Sequence, residues 1–387
     1  MDEQQRRDPR LRQVRDALTR AEVSDYDGAW SMPSAFYTEQ AVLDIERREL
    51  FSREWVCIGR ADEIPEPGNF MTFHVCDEPL VAVRAADRAI RVLSNVCRHR
   101  GALVAEGRGT ASHLQCPYHH WAYDLDGRLA RAPRLEQHRT FDPADCSLPS
   151  FATEEWMGFL FVSLAAEPAP LAPRLSGLED LIGPYHLELA TTRFVADEVW
   201  PTNWKCFVEN FMEGYHLTPL HRTTLHPVNP TRLCRHFSPG EAYFGYHAGF
   251  TPGLPRLEPG HPDLTPEQVD DCIMFAVPPG LVAGCASDYS SFICVQPESV
   301  DRVRLKLGLM FFGDRWTQDD IDTAARLFQE TNAEDRAVLE GITRGHASGR
   351  HAAGPLAPAA FEGTLHDFSR YLAQRLTSVL EQIDPHH

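Results

Sequence analysis

The spacing of apolar positions changes several times along the chain. From Thr38, TEQAVLDIERRELFSREW sets Val42, Ile45, Leu50 and Phe51 at roughly helical intervals, with Thr38 as the expected N-cap. Between Asn69 and Leu93 the period shortens. The runs FMTFHV, PLVAV and AIRVLSNV, parted by DEP and AADR, predict antiparallel strands with turns. WAYDLDGRLA adds a hairpin signal at Asp126-Gly127. The Pro- and Ala-rich stretch AAEPAPLAPRLSG, from Ala165, then marks a boundary. Beyond it NWKCFVENFMEGYH reads as a helix and residues 217–265 as loops. In RVRLKLGLMFF, Val303, Leu305, Leu307 and Leu309 alternate with Arg304 and Lys306, as in a strand. Thr317 and Asp320 form a capping-box pattern ahead of a long helix, where Ile321, Ala324, Phe328, Asp335, Val338 and Ile342 fall near one apolar stripe. The expected class is α+β: an N-terminal helical segment over 1–44 packing on a C-terminal domain of 166–387, with a β-rich module over 45–165 between them.

Composition narrows the class. At 387 residues, 43% hydrophobic and 24% charged, the chain can bury sizeable cores and is neither fibrous nor disordered. A formal net charge of -18 argues against nucleic acid and against anionic membrane as partners. The first segment, MDEQQRRDPRLRQVRDALTR, has no apolar core, and no run of about 18 apolar residues occurs anywhere. A cytoplasmic protein is therefore expected, with its 10 cysteines reduced rather than paired.

Two of those cysteines stand in a pattern that burial does not explain. CRHRGALVAEGRGTASHLQCPYHHW holds Cys97-x-His99 and Cys116-x-x-His119, one thiol and one imidazole in each loop. Zinc fingers usually group two cysteines in one pair and two histidines in the other. A Rieske [2Fe–2S] cluster instead takes two thiolates on one iron and two imidazoles on the other, which two such loops supply. Gly101, Gly107, Gly109 and Pro117 allow tight backbone around a cluster. His113 and His120 lie close by as surface residues or cluster neighbours.

A second group sits far downstream. In NWKCFVENFMEGYHLTPLH, Glu213 and His216 stand three apart, on one face of the expected helix, with His221 beyond Pro219, where the helix is expected to break. Two histidines and a carboxylate on one face of Fe(II) leave positions open for O₂. Asp335, a carboxylate within an apolar stripe, is the best candidate for the third ligand, because a buried charge without a partner costs several kcal/mol. His226 could replace either histidine, and Glu209 shares the helical face of Glu213.

LSNVCRHRGALV with QCPYHHWAYDLDGRL resembles the Rieske motif of the Rieske-type non-heme iron oxygenases, the ring-hydroxylating α subunits. One residue departs from it: His120 occupies a position where the family usually has glycine. The resemblance extends from SAFYTEQ to the region of Gly354. It implies an N-terminal all-β Rieske domain, a C-terminal helix-grip catalytic domain with an antiparallel sheet, and one [2Fe–2S] cluster and one Fe(II) per chain. The family's N-x-x-[D/E]-x-x-H-x(4)-H segment is matched by Asn210, Glu213, His216 and His221, and a later E-D by Glu334 and Asp335. Carried over, the cluster ligands are Cys97, His99, Cys116 and His119, and the iron ligands His216, His221 and Asp335. Glu213 becomes the bridge from His216 to a cluster histidine, His119, of a neighbouring subunit.

The implied protein is a terminal oxygenase using O₂. No G-x-G-x-x-G fingerprint and no C-x(4)-C-x(2)-C run is present, so its electrons are expected from a separate NAD(P)H-dependent reductase or ferredoxin. A homotrimer is implied, or trimers joined by a small β subunit. A glutamate bridge resembles the oxygenases of quaternary ammonium compounds, while aromatic hydroxylation, by one or two oxygen atoms, stays open. Phe275, Tyr289, Phe292 and Phe311 are candidates for a substrate slot or for core packing. An electron carrier without oxygenase activity is the alternative.

Overall fold

Short apolar runs between Val56 and Ser163 form strands, and helices dominate the stretch before them. The computed structural model describes residues 8–135, 138–254 and 263–383. Its contacts divide the chain into Phe51–Ala169 and a second unit joining the stretch up to Leu50 with Pro170 onward. These borders lie a few residues beyond those expected. Ile45 and Leu50 are buried in the second unit, while Trp55 Nε1 donates to the Ala169 carbonyl (2.8 Å) within the first.

The Phe51–Ala169 unit is all β. Its strands are β1 (Val56–Arg60), β2 (Asn69–Val75), β3 (Glu78–Arg84), β4 (Ile90–Ser94), β5 (Arg108–Thr110), β6 (Leu114–Gln115), β7 (Ala122–Tyr123), β8 (Leu129–Arg131), β9 (Ser150–Trp156) and β10 (Phe159–Ser163). They form an antiparallel sheet in the order β1-β10-β9-β4-β3-β2-β5 and a small one, β6-β7-β8. The three apolar runs are β2, β3 and β4, with Val81 opposite Leu93. Gly127 makes the expected turn before β8, with φ +88 and its N–H on the Asp124 carbonyl (2.9 Å). Val81, Val83 and Leu93 pack with Cys97, Cys116, Trp121 and Tyr123 in one core, so the two Cys/His loops stand on a rigid base.

In the second unit α1 (Pro9–Val23) packs on the C-terminal helix. The helix expected from Thr38 is broken. Thr38 closes α2 (Ala35–Thr38), Glu39 is extended, and α3 (Gln40–Glu46) begins without a side-chain cap before winding into a π turn. The short helices α4 (Leu171–Arg174) and α5 (Ser176–Ile182) lead into β11 (Ala190–Trp200), α6 (Trp204–Phe211) and α7 (Leu217–Leu220). Then follow β12 (Cys234–His236), β13 (Phe244–Ala248), α8 (Pro266–Val269), β14 (Ile273–Val277), β15 (Leu281–Cys285), β16 (Tyr289–Ser299), β17 (Arg302–Phe312), α9 (Gln318–Ala347) and α10 (Ala359–Ile383). The sheet is antiparallel in the order β11-β17-β16-β15-β14-β13-β12. Alternation in β17 is as expected, with Val303, Leu305, Leu307 and Leu309 buried and Arg304 exposed.

Helix α9 opens on the Thr317/Asp320 capping box. Ile321, Ala324 and Asp335 of its stripe are buried, whereas Val338 and Ile342 are exposed and Leu339 takes the inner position. Among the described residues no helix is long and apolar enough to cross a membrane.

Candidate metal centres

Asn203 caps α6, its side chain accepting from Lys205 N (2.9 Å). The helix stops at Phe211 rather than running to His216, so Glu213 and His216 do not share a helical face. They lie in a tight turn. The Glu213 carboxylate accepts the N–H groups of Tyr215 and of His216 (3.1 Å) and also bonds His216 Nδ1. Helix α10 braces this turn through Gly214 N on the Phe361 carbonyl (3.0 Å) and Thr364 Oγ1 on the Met212 carbonyl. Glycine is required here, because a Cβ on residue 214 would stand 2.3 Å from Cys234 Sγ. Pro219 lies inside α7, so the break between helices comes at this turn and not at the proline.

The turn and α7 deliver both histidines to α9. One donor atom each from His216, His221 and Asp335 falls within 4.8 Å of the others. Asp335 Oδ1 is 3.5 Å from His216 Nε2 and 3.2 Å from His221 Nε2, and it accepts from Asn210 Nδ2 at 3.2 Å. His221 is completely buried. Its Nδ1 meets Glu334 Oε2 at 2.7 Å, but its Nε2 lacks the alignment for a hydrogen bond to Asp335 and has no other partner. Burial alone would lower the His221 pKa; the Asp335 and Glu334 carboxylates reverse this and raise it. An orphaned imidazole nitrogen beside a buried carboxylate and a second imidazole fits a divalent iron of the two-His, one-carboxylate kind.

His226 is exposed and bonds Thr218 Oγ1 (3.1 Å), outside this group. Glu209 accepts from Tyr37 Oη at 2.8 and 3.0 Å, and burial lifts its carboxyl to about 7.

A cavity of about 450 Å³ adjoins the three residues, walled by α6, α9 and the β13 to β16 side of the sheet. Of the four aromatics singled out by sequence, only Tyr289 reaches it; Phe275, Phe292 and Phe311 are buried in the core. Phe211, Tyr246, Phe250 and Phe328 line it instead. Phe211 follows Asn210 directly and Phe328 sits in the α9 stripe, whereas no local signal singles out Tyr246 or Phe250. The described wall carries Asp288 and Asp335 and no lysine or arginine.

In the β unit the two loops fold alike. Cys97 N bonds the Ala102 carbonyl and Gly101 N the Cys97 carbonyl; Cys116 N bonds the Trp121 carbonyl and His120 N the Cys116 carbonyl. The fourth residue after each cysteine is left-handed, Gly101 at φ +78 and His120 at φ +60. Position 120 therefore suits glycine, and histidine there carries strain. Cys97 and Cys116 are buried, whereas His99 and His119 are exposed with their Nδ1 atoms 3.2 Å apart. Burial raises the Cys97 pKa, opposed by the Tyr123 hydroxyl 3.3 Å from its Sγ. Burial, with His119 and Arg100, lowers the His99 pKa. Two inward thiols and two converging imidazoles fit the Rieske donor set. His113 is exposed and bonds Ser112 Oγ. All ten cysteines are free of disulfide bonds in the structure.

Two known protein families match separate parts of the chain. The Rieske [2Fe-2S] domain matches residues 54–151, and the ring hydroxylating alpha subunit (catalytic domain) matches residues 185–378. The carnitine monooxygenase oxygenase subunit of Acinetobacter baumannii is 29% identical over 330 residues, covering 82% of this chain and 86% of that one. The glycine betaine monooxygenase oxygenase subunit of Chromohalobacter salexigens is 37% identical over 222 residues, 57% of this chain and 49% of that one. In fold, the chain is similar to a quaternary ammonium Rieske monooxygenase in complex with L-carnitine (TM-score 0.80, 24% identity, 93% of this chain and 98% of that one). It is also similar to naphthalene 1,2-dioxygenase from Rhodococcus sp. (TM-score 0.79, 21% identity, 95% and 98%). The chain belongs to the ring-hydroxylating α-subunit family. It is the terminal oxygenase component of a Rieske oxygenase, an oxidoreductase acting on O₂, with one [2Fe–2S] cluster and one mononuclear iron per chain, and not an electron carrier alone.

Proposed function

We propose that this oxygenase hydroxylates a carbon bonded to the nitrogen of a small quaternary or N-methylated ammonium compound. Cys97, His99, Cys116 and His119 hold the cluster, and His216, His221 and Asp335 hold the iron. The cavity carries the reading: Tyr246, Phe250, Tyr289 and Phe328 line it with rings that suit a cation, and Asp288 adds a negative charge beyond the iron-binding Asp335. The carnitine and glycine betaine relatives support it.

When bound, cluster and iron supply single-electron delivery and O₂ activation. Around them the chain's side chains have separate tasks. Glu213 orients His216 through Nδ1, and Asn210 holds Asp335 Oδ1, leaving the other carboxylate oxygen unengaged by it. The apolar wall formed by Phe211, Leu217, Leu225 and Phe328 excludes water beside the reacting carbon. Overall, the substrate C–H and O₂ with two electrons and two protons give the alcohol and water. An alcohol on the carbon next to an ammonium nitrogen then collapses to free amine, carbonyl compound and a proton.

The working unit is a cytoplasmic homotrimer fed by a separate NAD(P)H-dependent reductase, in which Glu213 links His216 to the cluster His119 of the next subunit. A related quaternary ammonium monooxygenase structure is described in terms of inter-subunit electron transfer, which supports this arrangement. The test is a substrate panel with a surrogate reductase, following amine and carbonyl products rather than NADH loss. Turnover of methylated ammonium compounds is expected; oxygenation of neutral arenes with no amine release from any ammonium compound would overturn the reading.

A further inference from the structure

Each iron-site histidine has its own carboxylate. His216 Nδ1 is bonded by Glu213, the residue proposed above to link subunits. His221 Nδ1 is bonded by Glu334 Oε2 (2.7 Å), which also accepts from Thr224 Oγ1 at 2.6 Å. Glu334 precedes Asp335 in α9, so one turn of this helix presents one carboxylate to the ring's Nδ1 edge and the next to its Nε2 edge. His221 is fully buried, and Thr224 nearly so, while Glu334 is partly open to solvent.

We propose that Glu334 is the positioning residue of His221, with Thr224 as its brace; the inference rests on the assignment of iron to His216, His221 and Asp335. A carboxylate at Nδ1 keeps the proton there, so the Nε2 lone pair faces the metal position. The brace matters because a partly solvated glutamate has several rotamers, and the Thr224 hydroxyl selects the one that meets the imidazole. Glu213 and Glu334 thereby divide the work. One serves the histidine on the proposed electron route, and the other serves the histidine farthest from solvent.

The test uses full-length protein stripped of mononuclear iron by chelation with its cluster retained. Fe(II) is titrated back, with the electron paramagnetic resonance of the iron–nitric oxide complex as readout. E334A should weaken Fe(II) binding about 10- to 100-fold and alter the rhombicity of the signal. E334Q keeps an acceptor oxygen for Nδ1 and should recover most of the affinity. T224V should weaken binding about 2- to 10-fold, the worth of one hydrogen bond. A merely structural role would lower thermal stability and leave the signal unchanged. Should E334A fail to fold, T224V decides: unchanged affinity and signal overturn the proposal. D335A separates the two levels. If D335A still binds iron, the ligand assignment itself fails; if it does not, and E334A binds as wild type, only the role of Glu334 fails.

Discussion

Gly214→Ala places a methyl group where the Glu213 turn has no room. The added Cβ would lie 2.3 Å from Cys234 Sγ and 3.0 Å from Cys234 Cβ. Ordinary contact begins near 3.4 Å, so the turn must move by about 1 Å or the strand β12 must yield. Overpacking of this kind costs about 1–3 kcal/mol, which for a domain of this size lowers the melting midpoint by about 2–12 °C. The functional effect is larger than the stability effect. The displaced segment carries both the Glu213 carboxylate and His216, and a misplacement of about 1 Å at a reacting centre costs about 10²-fold in rate. Iron content, kcat and the cluster's visible spectrum should be measured on one preparation: kcat falls about 10²-fold, mononuclear iron is depleted, and the cluster is untouched. Cys234→Ala removes the nearer clash and should partly rescue the double variant. Full iron occupancy and kcat within about threefold of wild type in G214A would refute the claim that this turn sets the site.

Lys205 and Glu46 form a fully buried pair (2.6 Å) tying α3 to α6. Lys205→Met leaves Glu46 uncompensated and should cost about 3–5 kcal/mol by urea denaturation, most of it recovered in E46L/K205M. A loss below about 1 kcal/mol in K205M, or no recovery in the double variant, would count against the pair as a brace of α6. Burial raises the Glu209 carboxyl from 4.5 to about 7, so the folded state binds its proton more tightly than the unfolded chain. Stability from this group is therefore greatest at low pH and declines as pH rises from 4.5 to 7. Glu209→Gln should be the more stable protein at pH 8 and lose that advantage near pH 4.5, read from melting midpoints across pH. Tyr123→Phe removes the hydroxyl beside Cys97 Sγ (3.3 Å), which favours the electron-rich reduced cluster, so the cluster potential should fall. Voltammetry showing an unchanged or higher potential would contradict that role.

Features governed by local spacing were legible in the sequence. The alternation of β17, the three strands before the first Cys/His pair, the Asp126-Gly127 turn and the Thr317 capping box each depend on residues a few positions apart. The candidate donors stood out because both loops carry a thiol and an imidazole, and because Asp335 interrupts an apolar stripe. The Glu213 turn was not. Its shape depends on Cys234, Phe361 and Thr364, all remote in the chain, and a helical pattern in NWKCFVENFMEGYH conceals it. The same limit explains α9, whose buried face drifts over 30 residues until Leu339 replaces Val338. It also explains the cavity aromatics, since Tyr246 and Phe250 reach the site only through the pairing of β13 with its neighbours. His120 occupies in the second loop the left-handed position that Gly101 fills in the first.

If the residues named build two separate metal centres, removing one iron ligand should empty one centre and spare the other. Iron and acid-labile sulfide are determined per chain, with the visible spectrum, for wild type and Asp335→Ala. Wild type should carry about three irons and two sulfides. In the variant about two irons and two sulfides should remain, with the cluster spectrum intact and no product formed. A variant that keeps its third iron and its turnover, or a wild type that carries zinc in place of the mononuclear iron, would contradict it.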